Sequence, residues 1–395
     1  MVSNGGNITI KTQGDTLIEG AEILALNSII VNTGKNLRLS SFSDKQAKLF
    51  ASEGSLLVDA KGVVLNDGGY LRGKTVDTDI ENATDSVSIK ATLGFQNITS
   101  RKDHLAVVFA EEGNVSITTS GDFINQSGRI IANGNLAIAA EGDVRNFLGK
   151  TPGVNNEEKS YYSKTVKRFF GLLRSKKKGY TIDYGKPFVD GSLAYLVADG
   201  DLKITGRNVF STGGEIAANN GNLLITAEET VLNQAVRVGE VEHSNNCHLL
   251  GCRRSAQSSV AFLGGNMGAS QEVQIEARES VVNQGGSITG IDGLSIEAPS
   301  ITLRSLENYQ IVARTHGMRS FFGDTYAQIY LNETGGALRS TQGDIRIRGN
   351  LALDGGEIVT PNGQEHIEGE ATILRVPVRE QPVLNGIRNG IFSFL

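Results

Sequence analysis

Apolar and polar residues alternate along this chain in short runs, and the runs recur in a fixed frame. Counting each unit from a leading Gly, Asp or Gln, offsets two and four are apolar: Leu56 and Val58, Val87 and Ile89, Val115 and Ile117, Leu223 and Ile225. Period-two alternation marks a strand with one buried face. Offset six is small (Ala60, Thr119, Ala140, Ala227, Ala277, Ala298) and suits a corner. Offset ten is apolar again (Val64, Phe95, Phe123, Val144, Phe210, Val231, Val281). Gly follows at fifteen (Gly69, Gly128, Gly149, Gly286), then a third apolar segment such as Leu71, Ile130, Val238 or Ile288. The pattern predicts strand, corner, strand, Gly turn, strand.

Offset twelve is Asn in six units: Asn66, Asn97, Asn125, Asn146, Asn233 and Asn283. Units abut at 21 residues from Gly113 to Gly134, from Gly200 to Gly221 and from Gln271 to Asp292. Strands this short cannot bury enough surface alone, whereas like coils stacked in register share one continuous core. The predicted fold is therefore all-β, a parallel β-helix of three sheets with about thirteen coils spaced about 4.8 Å apart, a rod on the order of 60 Å long. Stacked Asn side chains can then form an amide ladder, each NH2 donating to the next carbonyl oxygen. A solvent-facing turn is the other structural reading. Asn97-Ile-Thr and Asn125-Gln-Ser are also glycosylation sequons, although their recurrence at one register favours a structural role.

The repeat divides the chain. Coils are expected over 1–150, with irregular stretches at 20–34, 72–84 and 99–110, then over 197–234, 271–305 and 341–370. Between them lie a basic insertion at 151–196, a Cys-containing loop at 235–270 and an aromatic insertion at 306–340 with Tyr309, Phe321, Phe322, Tyr326 and Tyr330. Residues 371–395 read as a tail or cap. Insertions in repeat proteins map to loops on one flank and often carry binding. Met1 opens almost directly into a strand at Ile8 to Ile10 with no polar cap, which predicts a segment of a longer protein.

Composition narrows the function. With 48 Gly, 6 Pro and no Trp in 395 residues, the chain suits a Gly-turned solenoid better than a compact enzyme. A formal charge of −5 points to no bulk affinity for nucleic acid or membranes. No apolar run is long enough for a transmembrane helix, and no signal peptide is visible. No nucleophile elbow, phosphate loop or calcium nonapeptide occurs. Acidic residues along the coils (Asp59, Asp122, Asp143, Glu228, Glu276, Glu297) are expected at solvent-facing positions rather than as paired catalytic carboxylates. The chain is read as non-enzymatic, with no cofactor.

Two clusters remain. Lys164, Lys167, Arg168, Arg174, Lys176, Lys177 and Lys178 flank Phe169, Phe170, Leu172 and Leu173. Their summed field would attract sulfated glycans, lipid head groups or other polyanions. The plainer reading is an exposed flank loop with its aromatics packed on the rod. Cys247 and Cys252 are the only cysteines. A local disulfide is favoured outside the cell, with free thiols, or a metal site using His243 and His248, as alternatives. The other histidines, His104, His316 and His366, are isolated.

The phrases Gly113-Asn-Val-Ser-Ile-Thr, Asn125-Gln-Ser-Gly-Arg-Ile, Gly134-Asn-Leu-Ala-Ile-Ala-Ala and Asn283-Gln-Gly-Gly-Ser-Ile resemble the repeats of filamentous haemagglutinin and related large exoproteins of bacterial two-partner secretion, contact-dependent inhibition toxins among them. The resemblance covers most of 1–305 and about 340–360. It implies a right-handed helix, export through an outer-membrane two-partner-secretion transporter, and display at the bacterial surface as an adhesin that contacts a host or bacterial surface glycan or protein. Neither the family's N-terminal secretion domain nor a C-terminal toxin domain is recognisable here. A shaft segment of an adhesin is the leading reading, the delivery stick of a growth-inhibition toxin the second, and a polysaccharide-cleaving enzyme the third.

Overall fold

The computed structural model describes residues 1–77, 84–153, 157–168, 173–189, 193–248, 251–312, 328–378 and 381–384. Among them there is no α-helix. The chain winds into a right-handed parallel β-helix whose coils each contribute one strand to three ranks. The first rank runs from Ile8–Thr12 through Leu56–Ala60 and Leu223–Ala227 to Glu365–Glu368. The second runs from Thr16–Glu19 through Val63–Asp67 to Ala371–Arg375, and the third from Val2–Ser3 through Tyr70–Gly73 to Glu357–Val359. The third rank is a 12-stranded sheet. The other two share a 22-stranded sheet in which Gly293–Arg304 and Ile345–Asp354 each span both ranks. Each rank is thus twelve strands deep, one coil fewer than the spacing predicts, and the rod is roughly 55 Å long at the usual strand separation.

Like residues lie above like. Leu56, Val87, Val115 and Leu136 are register partners in the first rank, and Val64, Phe95, Phe123 and Val144 in the second. All eight are buried. One contiguous apolar core therefore extends from Ile8 to Leu351, as stacked coils require. Phe95 and Phe123 stack within it at 5.4 Å between centroids.

Four expectations are corrected. The stretch 20–34 is regular, with coil strands at Glu22–Ala25 and Ile29–Thr33. Phe210 does not face inward: Val209 pairs with Val144 and fills the core position, because the corner after Gly206 is one residue short. A one-residue slip moves every following side chain to the other face. Val238 is not a coil residue; Met267 occupies the third-rank position beyond Ile216, and Val238 packs with Leu148 and Val236 in a separate small cluster. The coils also continue past 370, since Ala371–Arg375 pairs with Ile345–Asp354.

The insertions obey a rule absent from the sequence pattern. Apart from the longer link 74–86, which joins Tyr70–Gly73 of the third rank to Val87–Ala91 of the first, they leave at the corner between the second and third ranks, on every second coil. Tight corners carry a left-handed residue, namely Gly20, Gly68, Ser127, Gly213, Gly285 and Gly355. They alternate strictly with insertions at 41–47, 99–106, 148–193, 235–265 and 305–336. The last three are antiparallel hairpins rather than loops: Ser160–Arg168 with Leu173–Asp183, Glu240–His248 with Gly251–Ser258, and Leu306–Val312 with Gln328–Thr334. Their spans close on coil strands, Ala194–Ala198, Asn266–Ala269 and Ala337–Ser340. A hairpin is two strands thick, about 9.6 Å, which is the height of two coils. Hairpins on successive coils would collide; on alternate coils they meet edge to edge. The first two do so and form a four-stranded sheet through pairing of Leu173–Asp183 with Glu240–His248. Gln381–Leu384 adds a third strand to the third hairpin.

Candidate functional site

Two places concentrate polar side chains: the inward Asn column and the flank sheet. In the column, Asn66 Nδ2 donates to Asn97 Oδ1, Asn97 to Asn125 and Asn125 to Asn146, each at 2.8 Å. Asn233 donates to Asn283 at 3.0 Å. Ser211 separates the two runs, because the short corner after Gly206 puts it at the Asn register. Leu39 and Leu303 end the column. All six asparagines are at most 1% exposed, which leaves no room for a glycan. Each amide also closes its own corner. Asn66, Asn125 and Asn283 donate to Gly69, Gly128 and Gly286 across tight turns. Asn97, Asn146 and Asn233 donate to Ala106, Ala194 and Gly265, where the chain returns from an insertion. One donor thus captures the returning chain whatever has been inserted.

The flank sheet presents two faces of different chemistry. On one, Tyr162 Oη donates to Glu242 Oε1 at 2.8 Å and Lys177 Nζ lies 3.2 Å from the same oxygen. The Tyr162 hydrogen bond, then Lys177, hold the Glu242 carboxyl below its ordinary range against the opposing effect of burial. The same bond to Glu242 raises Lys177. Lys164 is the register partner of Lys177. On the other face Tyr161, Tyr180 and His243 form a row, with centroids 5.9 and 5.3 Å apart. The next rows hold Lys178, then Lys176. The basic run is therefore split between the faces. Backbone register pairs Lys167 with Arg174 and Arg168 with Leu173, but the side chains of these four, and residues 169–172, lie outside the described part.

At the base of the flank, Arg237 stands 4.8 Å over Tyr184 and 5.4 Å over Phe262 and donates to Glu307 O at 2.6 Å, touching all three insertions. Lys150 Nζ is 2.7 Å from Glu157. An open groove beside them is lined by Thr212, Gln234 and Leu306. Its one carboxylate is tied to Lys150, and nothing there is arranged as an acid–base pair.

The coil carboxylates are not all solvent-facing. Asp143 is 4% exposed and is bound by Arg145 at 2.8 Å, Arg207 at 2.8 Å and Asn208 at 3.1 Å. Burial raises its pKa, but these donors outweigh that and hold it below the usual aspartate value. Asp59 and Glu297 do lie at the surface, beside Lys61 and Arg348.

Register sets Cys247 opposite Cys252, with their side chains outside the described part. The described residues contain no group of three or more His, Cys, Asp and Glu positioned to hold a metal, and His243 stacks on Tyr180. His104 is buried, 3.3 Å from Ser43 O, and His366 lies beside Asp344. His316, Phe321, Phe322, Tyr326 and the tail 385–395 fall outside the described residues. Sequence reasoning missed Tyr161, Tyr180, Glu242 and Arg207, because the contacts that join Tyr180 to His243, Tyr162 to Glu242 and Arg207 to Asp143 span roughly 60 to 80 residues and leave no local signal.

These features define a class: a solenoid rod with a decorated flank and a polar column that serves structure rather than chemistry. Residues 1–55 match the family described as Hemagglutinin repeat, consistent with a filamentous haemagglutinin-like protein, and the same coil geometry continues to Arg375. No curated protein and no solved structure matches the chain. Hemagglutinin-repeat proteins are typically non-enzymatic and secreted to the cell surface.

Proposed function

We propose that this chain is a non-enzymatic shaft segment of a large secreted bacterial adhesin, exported by a two-partner-secretion transporter, whose hairpins contact a glycan or protein on host or bacterial surfaces. The observation that carries this reading is the placement of the three long insertions on one flank of a stiff rod. A scaffold that holds side chains along one line, with no convergent catalytic groups among its described residues, suits multivalent surface contact. The basic first hairpin supplies the contact for anionic groups.

Two measurements test it. Purified chain should bind cultured cells in flow cytometry and be retained on heparin, and a variant with the hairpins replaced by tight turns should lose both. Equal cell binding by the hairpin-free rod would remove the flank from the reading. New reducing ends or unsaturated products from acidic polysaccharides would replace it with an enzyme.

A further inference from the structure

The flank sheet is basic as a whole, but its faces are not equivalent, and the difference selects both the side that binds and the kind of ligand. On the Lys164 side, Tyr162 is already committed. Its ring crosses Gly179, where an added Cβ would come within 2.8 Å of Oη and 2.9 Å of Cζ. Its hydroxyl holds Glu242, which neutralises Lys177. An anionic ligand on this side would meet a carboxylate and a ring already lying on Gly179 with Lys177 5.5 Å from its centroid.

On the opposite side Tyr161 is 75% exposed. Its neighbour Tyr180 is enclosed by His243 on one side and by Lys159, whose Nζ is 5.1 Å from the ring centroid. Tyr161 meets Tyr180 at 60° rather than stacked, so Tyr161 is the ring left open. Lys178 pairs with Ser163, two residues along from Tyr161, a diagonal neighbour at roughly 7–8 Å. Lys176 follows on the same face, pairing with Thr165. Neither Lys176 nor Lys178 has a carboxylate partner among the described residues. An open ring followed by two unneutralised ammonium groups matches a ligand that alternates flat apolar C–H faces with anionic substituents.

We propose that a sulfated or uronic-acid sugar chain binds this face, one pyranose ring stacking on Tyr161 while its anionic groups meet Lys159, Lys176 and Lys178. The proposal rests on the anionic-contact reading above and adds the face, the contact residues and a requirement for stacking. Tyr161 sets specificity for a ring-bearing polyanion over a merely charged one.

The test uses the full chain and a size-defined heparin oligosaccharide, with affinity measured across a salt series and each variant's melting midpoint as a folding control. Lys176→Ala and Lys178→Ala should weaken binding and flatten its salt dependence, because each removes a charge contact. Tyr161→Ala should weaken it by roughly fivefold with the salt slope unchanged, and Tyr161→Phe should restore it. Lys164→Ala should change little. If Lys164→Ala weakens binding and Tyr161→Ala does not, the face is wrong while anionic contact stands. If no variant alters binding, both fall. Polyphosphate, which has charge but no ring, should bind more weakly than heparin and lose nothing on Tyr161→Ala; equal affinity would overturn the stacking role. Tighter binding of oligo(dT) than of heparin would reassign the face to single-stranded nucleic acid.

Discussion

At the scale of single residues, the coils are held in register by groups that have nowhere else to bond. Asn125 accepts from Asn97 and donates to Asn146, Gly128 and Tyr195. Asn125→Ala would leave a buried donor and a buried acceptor unpaired, a cost of roughly 3 kcal/mol that should appear as a lower urea midpoint. Ser211 is the converse case. Its Oγ and the Asn233 Oδ1 are buried without partners, so Ser211→Asn should join the two ladders, add about 1 kcal/mol of stability and raise the midpoint; a fall would mean that the short corner cannot admit the larger side chain. Asp143 makes the prediction that depends on pH. Its folded-state pKa is depressed, so its stabilisation is fully present above the unfolded value and is lost as pH falls through the folded one. Asp143→Asn should cost about 1–2 kcal/mol at neutral pH, and the gap from wild type should begin to close only below about pH 4. A constant gap down to strongly acidic pH would deny the ionic role.

At the scale of elements, strand thickness governs. Parallel coils and antiparallel hairpins share nearly the same spacing, so a flank sheet can grow beside the rod only if insertions skip a coil. The described corners do skip. Even the short insertions follow this order: Arg101 Nη2 in the second donates to Ser43 O in the first at 2.7 Å, across one plain coil. Within the second long hairpin, register brings Cys247 opposite Cys252. Unreduced protein should therefore show no titratable thiol, and reduction should loosen the hairpin tip by about 2 kcal/mol, as for any very small closed loop. Two reactive thiols in the unreduced protein would exclude the bridge.

At the scale of the whole molecule, each coil touches mainly its neighbours, so stability is nearly a sum over coils and interfaces. The flank is different, because among the described residues its first two hairpins share one sheet by pairing with each other. Replacing both 148–193 and 235–265 by tight turns like the one at Gly213 should leave a soluble, monomeric rod with an unchanged far-UV spectrum. Replacing the first alone should be worse than replacing both. It strips the partner from Glu240–His248 and leaves a two-stranded ribbon, marginal alone and open at its edge. Size-exclusion chromatography with light scattering should show association for the single replacement only. Monomers in both cases would show that the flank sheet does not depend on mutual pairing.

The sequence by itself determined the winding. Alternation at Leu56, Val58, Val64 and their equivalents, with Asn at a constant offset, leaves no economical arrangement except stacked coils, since each strand can bury its face only against its own repeat. The tertiary structure decided what the repeat does not encode. A corner one residue short turned Phe210 outward and put Ser211, not its neighbour Thr212, in the Asn column. The chain returned from its second long excursion at Met267 rather than near Val238. Tyr180 met His243, and Tyr162 met Glu242, across about 60 to 80 residues. Coil contacts repeat at a period legible along the chain, whereas flank contacts depend on which heights two hairpins reach on a rod already wound.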